Sequence, residues 1–535
     1  MKFFFVSLLA VAACTSNEST HDADGSPDPS ADDTIAGDDD VFLEDIEAAD
    51  TGMDMDMDEE DDATYPSPPA EVLRTGTEGL LLRGTVLTPS GVLDPGDVLI
   101  SGAFITCVDS DCSGAPGAGE ATWIETNGII SPGLIDPHNH IAYNFLPEYI
   151  PEPLRTFENR YDWSDLADYE AHIEPYAAHR SAGTHYCPGA KWGELRSLVH
   201  ATTTVQGESF AQLCVNWGVR NADHFHNLGY DHMRTTIASV RDINDEQAQN
   251  YIDSFNESPE PVTRFAVHMA EGYTGNYVTE EFDSFAGRDP RENRHQGESL
   301  LIDGTSILIH SIPLTEAQLA EALVNDAKIA WSPSSNLALY GVTAPIQRIL
   351  QLGITTGLGP DWTLNGEKNM LGEMRFALDY ARTNSIPEIT PQKLWEMSTW
   401  EGAMVVGLED YIGRLEAGYR ADIAVFGRLG ADPYRSIVDS RSANVRLVLL
   451  DGEGLYGDEH LMAATAANEY CEPLDACSAD KYLCVQESPT ASDRKNETLA
   501  DIRTQLFNIL EGVGYPPEEQ YGRGDELLEL IDCGE

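Results

Sequence analysis

Long apolar runs are missing from this chain of 535 residues: none reaches the ~18 that a membrane-spanning helix needs, which argues against a helical span. Basic residues are also scarce, 32 Lys and Arg against 91 Asp and Glu, so the formal charge is −59. A surface of that sign repels phosphate backbones, and nucleic acid is excluded as a partner. Between Thr15 and Asp62 there is no Lys or Arg at all, only 20 acids among Met, Pro, Gly and Ser. Such a composition cannot bury a core, and residues 15–75 are expected to form a solvated, self-repelling tether. Without that stretch and Lys2, 71 acids still face 31 bases, so the acidity belongs to the whole protein.

What is present is a series of apolar runs that end in polar side chains. Gly133-Leu-Ile-Asp-Pro-His-Asn-His140 sets two imidazoles, His138 and His140, two residues apart. On a strand that spacing turns both rings to one face, where they can share a metal ion. Four later runs close on Glu271 (Arg-Phe-Ala-Val-His268-Met-Ala-Glu271), His310, Asn336 and Asp361. Each suits a parallel strand covered on both faces. Helix-like stretches, such as Leu314 to Val324 and Met370 to Ala381, lie between them, and strand–helix alternation implies a parallel sheet. In a closed eightfold barrel all strand C-termini meet at one mouth, which lets His138 and Asp361 touch one ion.

These residues, in this order, resemble the amidohydrolase superfamily, in the branch holding cytosine deaminase, guanine deaminase and the triazine chlorohydrolases. The likeness spans roughly Gly79 to Leu450. It implies a distorted (β/α)8 TIM barrel over 132–411, with a small β-sandwich built from the flanking segments 76–131 and 412–455. Ile412-Gly-Arg-Leu-Glu-Ala-Gly-Tyr-Arg-Ala-Asp-Ile-Ala-Val-Phe426 resembles the passage from barrel to sandwich. The resemblance implies His138, His140, His268 and Asp361 as ligands of one divalent transition metal, zinc or iron. It implies Glu271 as the proton shuttle and His310 as the group orienting water or substrate. Asp361 is a ligand and a candidate base together. Three imidazoles and one carboxylate leave a bound ion net positive charge, which brings the pKa of water toward ~7. Gln206, Asn336 and Trp362 are the candidate substrate contacts. Lys191, beside Trp192, Leu195, Leu198 and Val199, reads as a helix residue and not as a carboxylated metal bridge.

At the start, Lys2, an apolar stretch and Val11-Ala-Ala-Cys14 resemble a bacterial lipoprotein signal in residues 1–14. Cys14 would then carry the lipid, anchoring the protein outside the cytoplasm on the cell envelope, at the outer membrane since Thr15 is not Asp. Of nine Cys, eight would remain, an even number suited to disulfides in an exported chain. Cys107 with Cys112 and Cys187 with Cys214 are the expected local pairs. Cys471, Cys477, Cys484 and Cys533 would staple the extension over 456–535, a zinc site there being the alternative.

The expected function is a metal-dependent hydrolase attacking a non-peptide carbon–nitrogen bond of a small molecule, of deaminase or cyclic amidase type. A lactonase, esterase or dipeptidase on the same centre is the rival enzyme, and a non-catalytic surface binding lipoprotein the rival outside enzymes. Homo-oligomerisation is left open.

Overall fold

The computed structural model describes residues 67–534, apart from 147, 150–154, 165, 168, 170–172, 174–185, 208–215, 225–229, 237–239, 290, 292–293, 295–300, 466–467, 493 and 514–526. Cys14, the acidic tether up to residue 66 and Cys214 lie outside the described residues.

Among the described residues eight short strands are present, with helices between the first and second and between successive strands from the fourth onward. Leu134–Asp136, Thr202–Val205 and Arg220–Asn221 form one parallel sheet, in chain order. Met233–Thr236, Arg264–Met269, Ser306–His310, Lys328–Trp331 and Thr356–Leu358 form a second, also parallel and in order. Val267, Leu308 and Ile329 are wholly buried, like nearly every residue of these strands, because helices cover them. A parallel bridge between Asn139 and Asp361 joins the chain just past the first strand to the chain just past the eighth. Between the third and fourth strands no ladder is present among the described residues, so the expected barrel is TIM-barrel-like here, and its seam is not hydrogen-bonded there.

The flanking segments meet, and their strands are hydrogen-bonded into one continuous ten-stranded sheet. The reason is the 11-residue strand Thr122–Pro132, which bonds Leu80–Thr88 in parallel on one edge and Ile423–Gly427 antiparallel on the other. Alternation gives the sheet two apolar faces. Ile129, Ala424, Phe426 and Val448 join the cluster that holds most of the parallel strands and their helices, while Ile130, Ile423, Val425 and Leu449 fill a separate cluster. Two strands of the extension, Glu472–Ala476 and Ala479–Leu483, continue the same sheet.

Cys107 is bonded to Cys112, Cys471 to Cys484 and Cys477 to Cys533. The four extension cysteines are thereby used up, which removes the zinc alternative. Lys191 sits on the helix Tyr186–Val199, where Nζ donates to Glu497 at 2.9 Å and to the Arg494 carbonyl. It takes no part in a metal bridge. No helix among the described residues is long and apolar enough to cross a membrane.

Candidate active site

The parallel strands end together, and their last residues bring the polar groups to one place. His138 and His140 follow the first strand and Asp361 the eighth. The two chain segments are tied by His140 N–H to the Asp361 carbonyl at 2.8 Å and Asp361 N–H to the His138 carbonyl at 3.1 Å. Behind this pair the buried Asp136 accepts from His138 N–H at 3.1 Å and from the Asn139 amide at 2.6 Å. Ala270, His310 and Asp361 all have left-handed backbones, with φ of 54°, 68° and 70°. Non-glycine residues held there are costly and cluster where function demands a particular side-chain direction.

The ligating atoms of His138, His140 and Asp361 lie within 4.8 Å of one another, and so do those of His138, His268 and His310. His138 Nε2 is 3.1 Å and His140 Nε2 3.3 Å from Asp361 Oδ1. Three buried atoms, His138 Nε2, His268 Nε2 and Asp361 Oδ1, make no well-aligned hydrogen bond, although the first and last stand 3.1 Å apart. Leaving such atoms unsatisfied is expensive unless something else satisfies them, and two nitrogen lone pairs with a carboxylate oxygen are the donor set of a divalent zinc-like ion. The residues present fit such an ion.

Electrostatics prepare the same atoms. Burial pushes His138 down to about 4 and His268 to about 3, so both rings are neutral at pH 7. His268 Nδ1 lies 3.0 Å from Glu271 Oε2, a contact that favours the Nδ1–H tautomer and leaves Nε2 free to ligate. Burial alone would raise Asp361, but His138 and His140 beside it hold the carboxyl well below its usual range. Glu271 behaves alike: burial acts upward, and His310, His268 and Arg160 together outweigh it.

Around these groups runs a layer of supporting contacts. His310 Nδ1 faces Asn336 Oδ1 at 2.9 Å, Ser335 donates to Asp361 Oδ2 at 2.6 Å, and Tyr340 donates to Glu271 Oε1 at 2.6 Å. Ser335, Asn336 and Tyr340 all belong to one helix, Pro333–Tyr340. Arg160 reaches the His268 carbonyl at 2.8 Å and Glu281 at 2.6 Å, and Glu281 in turn accepts from Ala270 N–H. The segment carrying Arg160 docks by a bridge between Asn159 and Gly272. Gly272, at φ 133°, leaves no room for a side chain, since a Cβ would stand 2.4 Å from Asn159 Cα.

A cavity of about 230 Å³ opens on His140, His268, Glu271 and Asp361. Tyr143, Tyr161, Trp163, Tyr169 and Trp362 supply its aromatic walls and Arg160 its cation. Trp362 thus stands where a substrate contact was expected. Gln206 and Asn336 do not line it. Gln206 is buried and donates to Asp223 and to Thr235 Oγ1, because the mouth-facing position past its strand is occupied by a side-chain network and not by solvent. Asn336 stands behind His310 and donates to Thr343 Oγ1.

Residues 252–454 match the model of the Amidohydrolase family. Over 429 residues, the chain is 24% identical to the 5-methylthioadenosine/S-adenosylhomocysteine deaminase of Desulforamulus reducens, across 70% of its own length and 92% of the relative's. Its fold is that of the zinc-bound atrazine chlorohydrolase of Arthrobacter aurescens TC1, at a TM-score of 0.52 and 20% identity over 70% of this chain and 95% of the other. A zinc-bound adenosine deaminase of Xanthomonas campestris superposes at 0.50, with 18% identity over 71% and 93%. Among the described residues, the His138, His140 and Asp361 cluster and the His138, His268 and His310 cluster could hold a divalent metal ion.

Proposed function

We propose that this chain is an amidohydrolase that hydrolyses a carbon–nitrogen bond at an sp² carbon of a small planar heterocycle, releasing ammonia or an amine. The observation that carries the reading is the convergence of three buried atoms without a well-aligned hydrogen bond, His138 Nε2, His268 Nε2 and Asp361 Oδ1, beside Glu271 at an aromatic-walled cavity. His138, His140, His268 and Asp361 would hold the ion. When bound, it supplies Lewis acidity that makes water a nucleophile at neutral pH.

The remaining steps belong to the protein. Glu271, kept ionised, takes a proton from the attacking water and gives it to the departing nitrogen. His310, fixed by Asn336, orients the water or the ring atom that gains charge. Trp362 and Tyr143, whose rings meet edge to face at 5.7 Å, flank the cavity in which a flat ring would stack. The purified chain should hold close to one zinc or iron and release ammonia from members of a panel containing 5-methylthioadenosine, guanine and aminotriazines. Two metals per chain, or turnover confined to lactones, would overturn the reading.

Location is part of the same proposal. Val11-Ala-Ala-Cys14 supports lipidation of Cys14 and anchorage outside the cytoplasm, with the acidic stretch as spacer. Cys14→Ser should move the protein from the membrane fraction to the soluble one with turnover unchanged. A wild-type chain recovered soluble from the cytoplasm, its cysteines reduced, would refute it.

A further inference from the structure

Glu271 is gripped at both carboxylate oxygens. Oε2 lies 3.0 Å from His268 Nδ1, and Oε1 accepts from the Tyr340 hydroxyl at 2.6 Å. Tyr340 is itself engaged on its far side, for Trp163 Nε1 donates to the same hydroxyl at 2.9 Å. An indole N–H can only donate, so the Tyr340 oxygen must accept there and its one proton must point to Glu271. The chain of bonds therefore has a single direction: Trp163 to Tyr340 to Glu271. Tyr340 is 2% exposed, so water does not compete for this hydroxyl.

The other end of this chain faces the ligand. Trp163 lines the cavity, its ring 5.9 Å from Trp362 and 5.0 Å from Tyr169. It arrives there on the short helix Arg160–Ser164, whose approach is fixed by Phe157 N–H on the Leu339 carbonyl at 2.7 Å and Arg160 N–H on the Glu271 carbonyl at 3.1 Å. The segment that presents Trp163 to the cavity is thus bonded directly to the residues bearing Tyr340 and Glu271.

We propose that Trp163 and Tyr340 form a one-way hydrogen-bond relay from the substrate cavity to Glu271, with Tyr340 as the positioning residue that aims its carboxylate. The proposal rests on the proton-shuttling role given to Glu271 above. Tyr340 neither gains nor loses a proton in the reaction; the water's proton goes to Glu271 and on to the leaving nitrogen. Its hydroxyl stops the carboxylate from rotating about the remaining contact to His268. A ligand pressing on the Trp163 ring tightens or loosens the far end, so substrate fit is felt in kcat and not only in binding.

The test uses the full zinc-loaded chain. Tyr340→Phe keeps the ring and removes the hydroxyl; kcat for ammonia release should fall roughly 10- to 100-fold, the scale of a misaimed catalytic group, with KM and zinc content unchanged. Trp163→Phe should lower kcat as well, and the double variant should be no slower than Tyr340→Phe alone, because both remove one chain of bonds. Equal kcat in wild type and Tyr340→Phe, fully multiplicative losses in the double variant, or loss of zinc from Tyr340→Phe would overturn the relay. Should the wild type turn over none of 5-methylthioadenosine, guanine or aminotriazines, the functional reading fails first, and the relay is read by NMR. Tyr340→Phe and Glu271→Gln must each shift the Trp163 indole N–H resonance, and an unmoved resonance in Tyr340→Phe refutes it.

Discussion

Replacing Glu271 by Gln is expected to leave the metal in place and slow turnover by roughly 10²-fold or more, the range for loss of a positioned acid/base. The substitution keeps volume and planarity in a buried site, so packing around Tyr340 and Arg160 is preserved. What disappears is a group that can both take and return a proton. The ion's proposed donors, His138, His140, His268 and Asp361, are untouched, and the buried atoms without a well-aligned hydrogen bond are not on Glu271. Metal analysis beside steady-state kinetics separates the outcomes. A variant that loses its metal identifies Glu271 as a ligand, whereas full activity removes it from the reaction.

Arg160→Met should be the most destabilising single change near the site, by about 3–5 kcal/mol, the cost of removing one partner from a buried ion pair. Arg160 is bonded to Glu281 at 2.6 Å and stands 3.9 Å from Glu271. Glu281 is fully buried, and burial already pushes it up to about 7 against the pull of Arg160. Without that cation its folded-state pKa rises further above the unfolded value of ~4.3. The native state then holds a proton that the unfolded state releases, so stability falls as pH rises through neutrality. Thermal unfolding at pH 5 and pH 8 should show the larger loss at pH 8. A loss equal at both, or under ~1 kcal/mol, would show that Glu281 is satisfied by Ala270 N–H and Tyr161 alone.

The strands were legible because doubly covered parallel strands are written as continuous apolar runs: Phe265 to Met269 and Ile307 to His310 could hardly be anything else. The polar residues closing those runs were legible for the same reason, since a strand end fixes where the next side chain goes. Arg160, Ser335 and Tyr340 were not, because each matters through a partner far along the chain, 121 residues away for Arg160 and Glu281, and no local pattern records such a pairing. Gln206 and Asn336 show the converse limit. Alternation gives the side of the strand but not whether a substrate or a neighbouring side chain fills the space, and here Asp223 and His310 fill it. The continuity of the sheet was hidden because nothing in the alternating pattern of Thr122–Pro132 tells which strand lies on either of its edges.

Because Ser335, Asn336 and Tyr340 ride on one eight-residue rod, their errors are correlated. In a centre whose supports hang from separate loops, drift at one position can be repaired at another, and activity erodes by degrees. Here a slight tilt of Pro333–Tyr340 moves the props of Asp361, His310 and Glu271 together, in fixed proportion. Substitutions under this helix, remote from any ligand, should therefore act as a common dial on the whole centre, so that natural variants of the chain fall into sharply active and sharply inactive sets with few between.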